Sequence, residues 1–302
     1  MEIIHKLPSP EQLQANLFLS EFAIEDKAAR DAEIASILAY DTCSNAAPPK
    51  LLMLVGPCSA HCPDAVLEYV EKLAKTAQDV KEKIIIIPRV YTAKPRSSSK
   101  GYMGLVHQNG GLFAARKLHL DIVKDYGLSC ADEMLYPGLI PYFIDLISYY
   151  AVGARSVSNQ EHRLTASALN IPVGMKNPIS GDLSEMRAAV SAARSPQEFI
   201  FCNNFVRTKG NPLAHAVLRG TPQGANYEES GKLDMAVIVD ASHGNSGKDP
   251  QNQKKVALSA IKCPNVRGIM IESFTYENQS VTDPCLTWEQ THALIHEIAD
   301  RL

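Results

Sequence analysis

Short apolar runs alternate with amphipathic segments from residue 51 to the end of the chain, and this alternation leaves few architectures open. Apolar runs of this length indicate buried strands, and the segments between them carry apolar residues at helical spacing. Parallel strands need such crossover helices, and eight strand–helix units suffice to close a barrel. The sequence therefore predicts an α/β fold, a (β/α)8 TIM barrel, with a doubly wound open sheet as the alternative. No GxGxxG follows the first run, which argues against a dinucleotide-binding sheet.

The predicted strands and helices follow one another in regular order. Strands are predicted at 51–55, 84–90, 128–133, 152–156, 172–176, 199–205 with 215–218, 236–240 and 266–272. Helices are predicted at 63–78, 111–126, 139–150, from 159 onward, and at 182–193, 251–261 and 287–302. Residues 1–50 are polar and helix-like and are predicted to form an N-terminal helical extension. Residues 51–302 then make up the (β/α)8 barrel catalytic domain.

The composition is that of an ordinary globular protein, with 45% hydrophobic and 21% charged residues among 302. A net charge of -3 gives no reason to expect nucleic acid or an anionic membrane as a partner. No apolar run reaches transmembrane length, and the N-terminus lacks a secretory signal pattern. Seven cysteines without a regular framework indicate a reducing compartment, so a cytoplasmic location is predicted.

Basic residues recur at or just after the predicted strand ends. The six are Arg89, Lys94, Arg96, Arg155, Lys176 and Arg219. The carboxyl ends of the strands share one face of an α/β barrel, and ligand sites are built there. A solvated basic loop is the commoner explanation for any single cluster. Clustered cations repel one another without anions, so their recurrence favours one or two phosphorylated, carboxylated small-molecule substrates.

Four further residues at strand ends combine a thiol, an imidazole and two carboxylates: Cys58, His243, Glu272 and Asp283. Each alone is more often a core cysteine or a hydrogen-bonded surface group. Placed together, they predict a site for a divalent metal ion, and the choice among Mn, Fe, Co and Zn stays open.

Several motifs resemble the class I, feedback-regulated 3-deoxy-D-arabino-heptulosonate 7-phosphate (DAHP) synthases. They are Gly56-Pro57-Cys58-Ser59, Arg89 with Lys94-Pro95-Arg96-Ser97, Gly153-Ala154-Arg155, Gly174-Met175-Lys176-Asn177, Leu218-Arg219-Gly220, Asp240-Ala241-Ser242-His243, Ile271-Glu272-Ser273 and Thr282-Asp283-Pro284-Cys285. The resemblance runs in unbroken order from about Leu51 to the C-terminus. It implies a metal-dependent condensation of phosphoenolpyruvate with erythrose 4-phosphate at the entry to aromatic biosynthesis.

The resemblance also implies roles for individual residues. Cys58, His243, Glu272 and Asp283 are similar to the metal ligands of the family. Arg89 and Lys94 resemble partners of the phosphoenolpyruvate carboxylate, and Ala154, Arg155, Lys176 and Arg219 resemble its phosphate site. Glu133 is similar to a residue that orders water there, and Pro95, Arg96 and Ser97 to the acceptor-binding loop. The residues predicted to be catalytic are Lys94, Arg89, Cys58 and His243, and a homo-oligomer, dimer or tetramer, is expected.

Two departures from the family pattern keep alternatives open. The stretch 104–111 is shorter than the corresponding family loop, which leaves room for a specialised pathway that uses another aldose phosphate. A barrel that binds phosphoenolpyruvate without catalysis is the third reading. Tyr136-Pro137-Gly138 stands where the family has an acidic pattern near its inhibitor-binding site, and this departure predicts weak or absent inhibition by aromatic amino acids.

Overall fold

Eight parallel strands close into a barrel in the computed structural model, which describes residues 2–3, 6–39, 50–94, 104–108, 110–201, 204–275 and 283–302. The described residues contain ten strands, of which β6 and β7 lie outside the barrel. In chain order they are β1 (Leu51–Gly56), β2 (Ile84–Pro88), β3 (Cys130–Glu133), β4 (Ile147–Val152), β5 (Val173–Lys176), β6 (Glu198–Phe201), β7 (Asn204–Arg207), β8 (Ala214–Leu218), β9 (Val237–Asp240) and β10 (Val266–Glu272). The barrel order is β2-β1-β10-β9-β8-β5-β4-β3. A parallel bridge between Arg89 and Ala131 joins the two outer strands, so the predicted TIM barrel is confirmed.

The barrel strands are apolar on both faces because each face packs against a core. All six residues of β1 are buried. Leu52 and Leu54 belong to the barrel interior together with Ile238 and Met270. Met53 lies in the other core, under the surrounding helices. Two covered faces explain why these strands appear in the sequence as continuous apolar runs and not as alternating ones.

Eight α-helices accompany the strands in the described part of the chain. They are α1 (Pro10–Asn16), α2 (Glu21–Leu38), α3 (Pro63–Val80), α4 (Gly111–Asp125), α5 (Gln160–Ser167), α6 (Leu183–Arg194), α7 (Gln253–Ala260) and α8 (Trp288–Arg301). Ser9 and Thr287 begin their helices with capping boxes, and Asp182 caps α6 through the amide of Ser184. Among the described residues, no helix has the length and hydropathy that crossing a bilayer requires.

Helix α2 covers the end of the barrel where the strands begin. Its residues Ile34, Ile37 and Leu38 join the interior core of the barrel. The ammonium of Lys27 donates to the carbonyl of Ile147 at the first residue of β4, at 3.1 Å. The opposite end of the barrel, where the strands finish, is therefore the end left for a site.

The segment after β3 differs from the sequence prediction. A helix was predicted at 139–150 and a strand at 152–156, but the chain forms a 3-10 helix at Pro137–Tyr142 and then β4. Residues 147–152 read Ile-Ser-Tyr-Tyr-Ala-Val and are all buried. A strand buried on both faces has no period-two pattern, so its apolar run can be mistaken for helix.

A two-stranded hairpin, β6 with β7, lies outside the barrel sheet. The barrel strand of this unit is β8, so the predicted two-piece strand at 199–205 and 215–218 divides between the hairpin and the barrel. Ile200 and Phe205 lie opposite each other in the hairpin, and both are about three-quarters exposed.

Candidate active site

Charged side chains from several strands meet at the end of the barrel opposite α2. Glu133, Lys176, Asp240 and Glu272 are the last residues of β3, β5, β9 and β10. Arg89 directly follows β2 and is fully buried. Buried charges are stable only when they are paired and hydrogen-bonded, so their mutual contacts define the site.

Glu272 is the centre of these contacts. Its Oε1 lies 3.0 Å from Nη2 of Arg89, 3.6 Å from Nζ of Lys94 and 3.8 Å from Nε2 of His243. Burial alone would raise the pKa of Glu272, but His243, Lys94 and Arg89 outweigh it and lower that pKa to about 2. Glu272 is thus a carboxylate at neutral pH, and its charge is shared among three cationic or polar groups.

Cys58, Glu272 and Asp283 bring a thiol and two carboxylates together. Their ligand atoms all lie within 4.8 Å of one another, and Sγ of Cys58 is 3.5 Å from Oδ2 of Asp283. Atoms this close could contact one ion, and a mixed set of sulfur and oxygen donors suits a borderline divalent metal. His243 lies outside this three-residue group, although its Nε2 faces Glu272 from the neighbouring strand end. The donor set fits a divalent ion.

His243 is oriented by Asp240. Its Nδ1 lies 2.8 Å from Oδ2 of Asp240, which accepts a hydrogen bond from the Nδ1–H, so Nε2 is the ring nitrogen on the side of Glu272. The same Oδ2 accepts a hydrogen bond from Nζ of Lys176 at 2.7 Å. Although burial raises the pKa of Asp240, His243 and Lys176 hold it well below its ordinary value. Asp240 is therefore a charged carboxylate with two partners.

Arg89 has unused hydrogen-bonding capacity. Its guanidinium carbon lies 4.4 Å from the centroid of the Tyr91 ring, and Nη2 bonds Glu272. Its Nε and Nη1 are buried and have no hydrogen-bond partner among the described residues. Buried donors without partners are costly, and a planar anion such as a carboxylate would satisfy them. Lys94 lies on the same ring, with Nζ 5.5 Å from the Tyr91 centroid.

Lys176 and Arg219 are joined through a network of buried amides. Oδ1 of Asn177 accepts the backbone N–H of Arg219 at 2.9 Å, and Nδ2 of Asn177 donates to the carbonyl of Gly220 at 3.1 Å. Nδ2 of Asn226 also donates to Asn177 Oδ1, at 3.2 Å. These bonds fix the ends of β5 and β8 relative to each other, so the two predicted phosphate partners are held on neighbouring strands.

The remaining predicted residues surround this centre. Arg155 is exposed and Ala154 half-buried in the turn after β4. Glu133 lies against Gly153, where a Cβ would come within 2.4 Å of its Oε1, so any larger residue there would displace the Glu133 carboxylate. Pro95, Arg96 and Ser97 lie outside the described residues.

Sequence reasoning missed the role of Asp240, which was noted only as part of a motif. Its three-residue spacing from His243 was the available signal, because a ligating histidine commonly donates its other ring N–H to a nearby carboxylate. Tyr91 was also missed. Nothing in the sequence pattern distinguishes a ring beneath two cations from an ordinary core tyrosine.

Fold and site together define a class of protein, a (β/α)8 barrel with a candidate metal centre beside buried cations at the carboxyl ends of its strands. The sequence profile described as the DAHP synthetase I family matches residues 37–294. The chain belongs to this family, which confirms the resemblance seen in the motifs.

Individual relatives agree with this assignment. The Tyr-sensitive phospho-2-dehydro-3-deoxyheptonate aldolase of Escherichia coli K12 is 38% identical over 336 aligned residues, covering 97% of this chain and 92% of that one. The Phe-sensitive enzyme of the same organism is 34% identical over 296 residues, covering 83% of each. The solved structure of the phospho-2-dehydro-3-deoxyheptonate aldolase from Francisella tularensis superposes with a TM-score of 0.90 at 32% identity, covering 99% of this chain and 98% of that one.

Proposed function

We propose that this protein is a DAHP synthase, which condenses phosphoenolpyruvate with erythrose 4-phosphate and water to give DAHP and phosphate, the first step of the aromatic pathway. Family membership and the names of the relatives support this activity. The structural observation that carries it is the meeting of Arg89, Lys94 and His243 around Glu272, because it combines anion-binding cations with metal-binding groups.

In this proposal the cations hold phosphoenolpyruvate. Arg89 and Lys94 bind its carboxylate, and the unpartnered Nε and Nη1 of Arg89 are the donors for it. Lys176 and Arg219, with Arg155 and Ala154 at the rim, bind its phosphate. Glu133 orders the water that adds to the neighbouring carbon, and Pro95, Arg96 and Ser97 bind the acceptor. Held in this way, the two anionic substrates meet in attack geometry despite their mutual repulsion.

Cys58, His243, Glu272 and Asp283 would hold the divalent ion, which we take to be Mn, Fe, Co or Zn. When bound, it would act as a Lewis acid that polarises the acceptor aldehyde. Asp240 keeps the Nδ1 proton of His243 in place, so that Nε2 is free to ligate.

Lys94 is proposed to protonate the aldehyde oxygen as the enol carbon attacks. Burial lowers the pKa of Lys94, but Cys58, Glu272 and Glu133 outweigh it and raise that pKa above its ordinary value. The ammonium therefore keeps its proton until a strongly basic alkoxide develops beside it. Lys94→Ala should lower kcat about 100-fold or more at saturating substrate. A change confined to KM would reduce Lys94 to a binding role.

We further propose that residues 51–302 form the catalytic domain, that the protein works in the cytoplasm, and that it assembles as a homo-oligomer, a dimer or tetramer. The exposed apolar pair Ile200 and Phe205 on the β6–β7 hairpin supports assembly, because such pairs favour burial against another surface. Native mass measurement of wild type and of Ile200→Asp would test it, and an unchanged monomer in both would refute it.

The activity is tested by measuring phosphate release from phosphoenolpyruvate with a panel of aldose phosphates, before and after chelation. We expect release with erythrose 4-phosphate, loss on chelation, and recovery when a divalent metal is restored. A higher kcat/KM with another aldose phosphate would support the specialised-pathway alternative. Binding of phosphoenolpyruvate without release for any acceptor would contradict the proposal and favour a non-catalytic barrel.

A further inference from the structure

One buried carboxylate contacts both halves of the candidate site. Oδ2 of Asp240 lies 2.7 Å from Nζ of Lys176 and 2.8 Å from Nδ1 of His243. Lys176 belongs to the proposed phosphate site, and His243 to the proposed metal site. Asp240 itself is fully buried, so water screens both contacts only weakly.

The backbone and neighbouring groups hold Asp240 in this position. Its Oδ1 accepts the amide of Ser242 at 3.0 Å, and its backbone carbonyl accepts Nδ2 of Asn245 at 2.9 Å. The carboxylate therefore cannot swing toward one partner without losing its bond to the Ser242 amide, while the Asn245 bond holds the backbone of the same residue. Lys176 and His243 must share a single oxygen atom, and a stronger bond to one weakens the bond to the other.

We propose that Asp240 couples the metal site to the phosphate site, so that occupancy of each raises the affinity of the other. This inference rests on the proposed function, because it assumes that Lys176 binds the phosphate of phosphoenolpyruvate. A cation on Nε2 of His243 makes the Nδ1 proton more acidic and draws the charge of Asp240 toward the imidazole. Lys176 is then less neutralised and holds a phosphate more strongly.

The reverse direction follows from the same contacts. A phosphate that binds the Lys176 ammonium weakens the hydrogen bond between Lys176 and Asp240. The Asp240 carboxylate then forms a stronger hydrogen bond with His243. An imidazole with a stronger carboxylate partner is a more basic ligand. Thermodynamic linkage requires the two effects to be equal in magnitude.

Direct attraction between a divalent cation and a phosphorylated anion also produces positive coupling. That attraction does not depend on Asp240 and survives its replacement. The contribution of Asp240 is therefore the part of the coupling that Asp240→Asn removes.

The experiment is isothermal titration calorimetry on the chelator-treated protein. Mn²⁺ is titrated with and without phosphoenolpyruvate, and phosphoenolpyruvate is titrated with and without Mn²⁺. Every affinity is corrected for the complex that Mn²⁺ and phosphoenolpyruvate form with each other in buffer. In wild type we expect each ligand to tighten the other about tenfold or more, by the same ratio in both orders. In Asp240→Asn we expect that ratio to fall to about threefold or less.

Asp132→Asn is the matched control. Asp132 is a buried carboxylate near the end of β3 that bonds Thr92 and His119 and contacts neither Lys176 nor His243. Its replacement should leave the coupling ratio at the wild-type value. A wild-type ratio in Asp240→Asn, or an equal loss in both variants, would overturn the inference.

A second pair of variants keeps the test valid if Asp240→Asn does not fold. Lys176→Met leaves Asp240 to His243 alone, so Mn²⁺ affinity without phosphoenolpyruvate should rise. Arg219→Met removes a neighbouring cation that makes no described contact with Asp240, and it reports the effect of charge alone. We expect the Mn²⁺ affinity of Lys176→Met to exceed that of Arg219→Met by about threefold, and equal affinities would refute the coupling.

Failure of wild type to bind phosphoenolpyruvate would overturn the proposed function and the inference with it, whereas binding without Asp240-dependent coupling overturns the inference alone.

Discussion

The two ends of the barrel differ in what their buried side chains do. At the end where the strands begin, Ile34 and Ile37 of α2 are fully buried apolar groups that extend the core. At the other end, Arg89, Asp240 and Glu272 are equally buried but charged. Apolar burial stabilises the fold directly, whereas buried ion pairs contribute little net stability because desolvation offsets their attraction. The first end thus stabilises the barrel, whereas the buried charges of the second add little stability and are accounted for by the proposed binding of substrate and metal.

Replacing one buried cysteine at each end of the barrel should give the largest difference in activity between the two ends. Cys58 and Cys130 are both fully buried, one at the site and the other at the first residue of β3 near α2. Cys58→Ala should lower kcat/KM about 1,000-fold, because it removes a proposed metal ligand. Cys130→Ala should keep its activity at temperatures where it is folded. Steady-state kinetics on both variants, with melting curves, would test this. Equal losses of activity would contradict the assignment of different roles to the two ends of the barrel.

Ile34 tests the apolar end. Ile34→Ala removes a fully buried side chain from the core shared by α2 and the barrel. We expect the free energy of unfolding to fall by about 3 kcal/mol, from lost burial and the cavity that remains. Denaturant titration measures this directly, and kcat below the melting transition should stay near wild type. A large loss of kcat without loss of stability would show that α2 acts on the site.

His215 lies on a barrel strand between the two ends, and it predicts how the stability of the protein depends on pH. Its Nδ1 lies 2.8 Å from the carbonyl of Leu213, so this nitrogen carries the proton and Nε2 accepts the hydroxyl of Tyr149 at 2.9 Å. Burial lowers the pKa of His215 from 6.5 to about 4. The unfolded chain therefore takes up a proton first as pH falls, and stability is lost between pH 6.5 and about 4. We expect wild type to lose on the order of 2 kcal/mol more than His215→Gln between pH 6.5 and about pH 5. Equal losses of unfolding free energy in the two proteins over this pH range would refute the prediction.

The smallest expected effect concerns aromatic amino acids, and it asks whether the apolar end binds a ligand. A cavity of about 600 Å³ beside α2 is lined by residues that include Lys27, Asp31 and Asp145. Both carboxylate oxygens of Asp145 are taken by Arg116, at 2.8 and 2.6 Å, so Asp145 is poorly placed to bind a ligand ammonium. We therefore expect Phe, Tyr and Trp each to change the initial rate less than about twofold, at subsaturating phosphoenolpyruvate.

Relatives named Tyr-sensitive and Phe-sensitive make that titration informative. Strong, saturable inhibition at submillimolar concentration would show that the apolar end carries a regulatory site. Asp31 would then be the carboxylate to replace, because its Oδ1 is buried and has no hydrogen-bond partner among the described residues.

Periodicity and motif order were enough to predict the barrel and the family, because both depend on local patterns repeated along the chain. The helix predicted at 139–150 was wrong because β4 is buried on both faces and shows no alternation. Motif order also selected the residues that the structure gathers around Glu272, although their roles stay predictions. Motif order did not single out Asp240, although its spacing from His243 was a signal for that one pair. Its sharing between Lys176 and His243 depends on how β5 and β9 are placed around the closed sheet, which no local pattern records.

The central claim is that the charged end holds a divalent ion beside the phosphoenolpyruvate site. Anomalous diffraction at the manganese edge from crystals grown with Mn²⁺ and phosphoenolpyruvate tests it most directly. We predict one strong peak within bonding distance of Cys58, His243, Glu272 and Asp283, with the phosphoenolpyruvate carboxylate on Arg89. A manganese peak elsewhere, with this end of the barrel empty of both metal and substrate, would contradict the account.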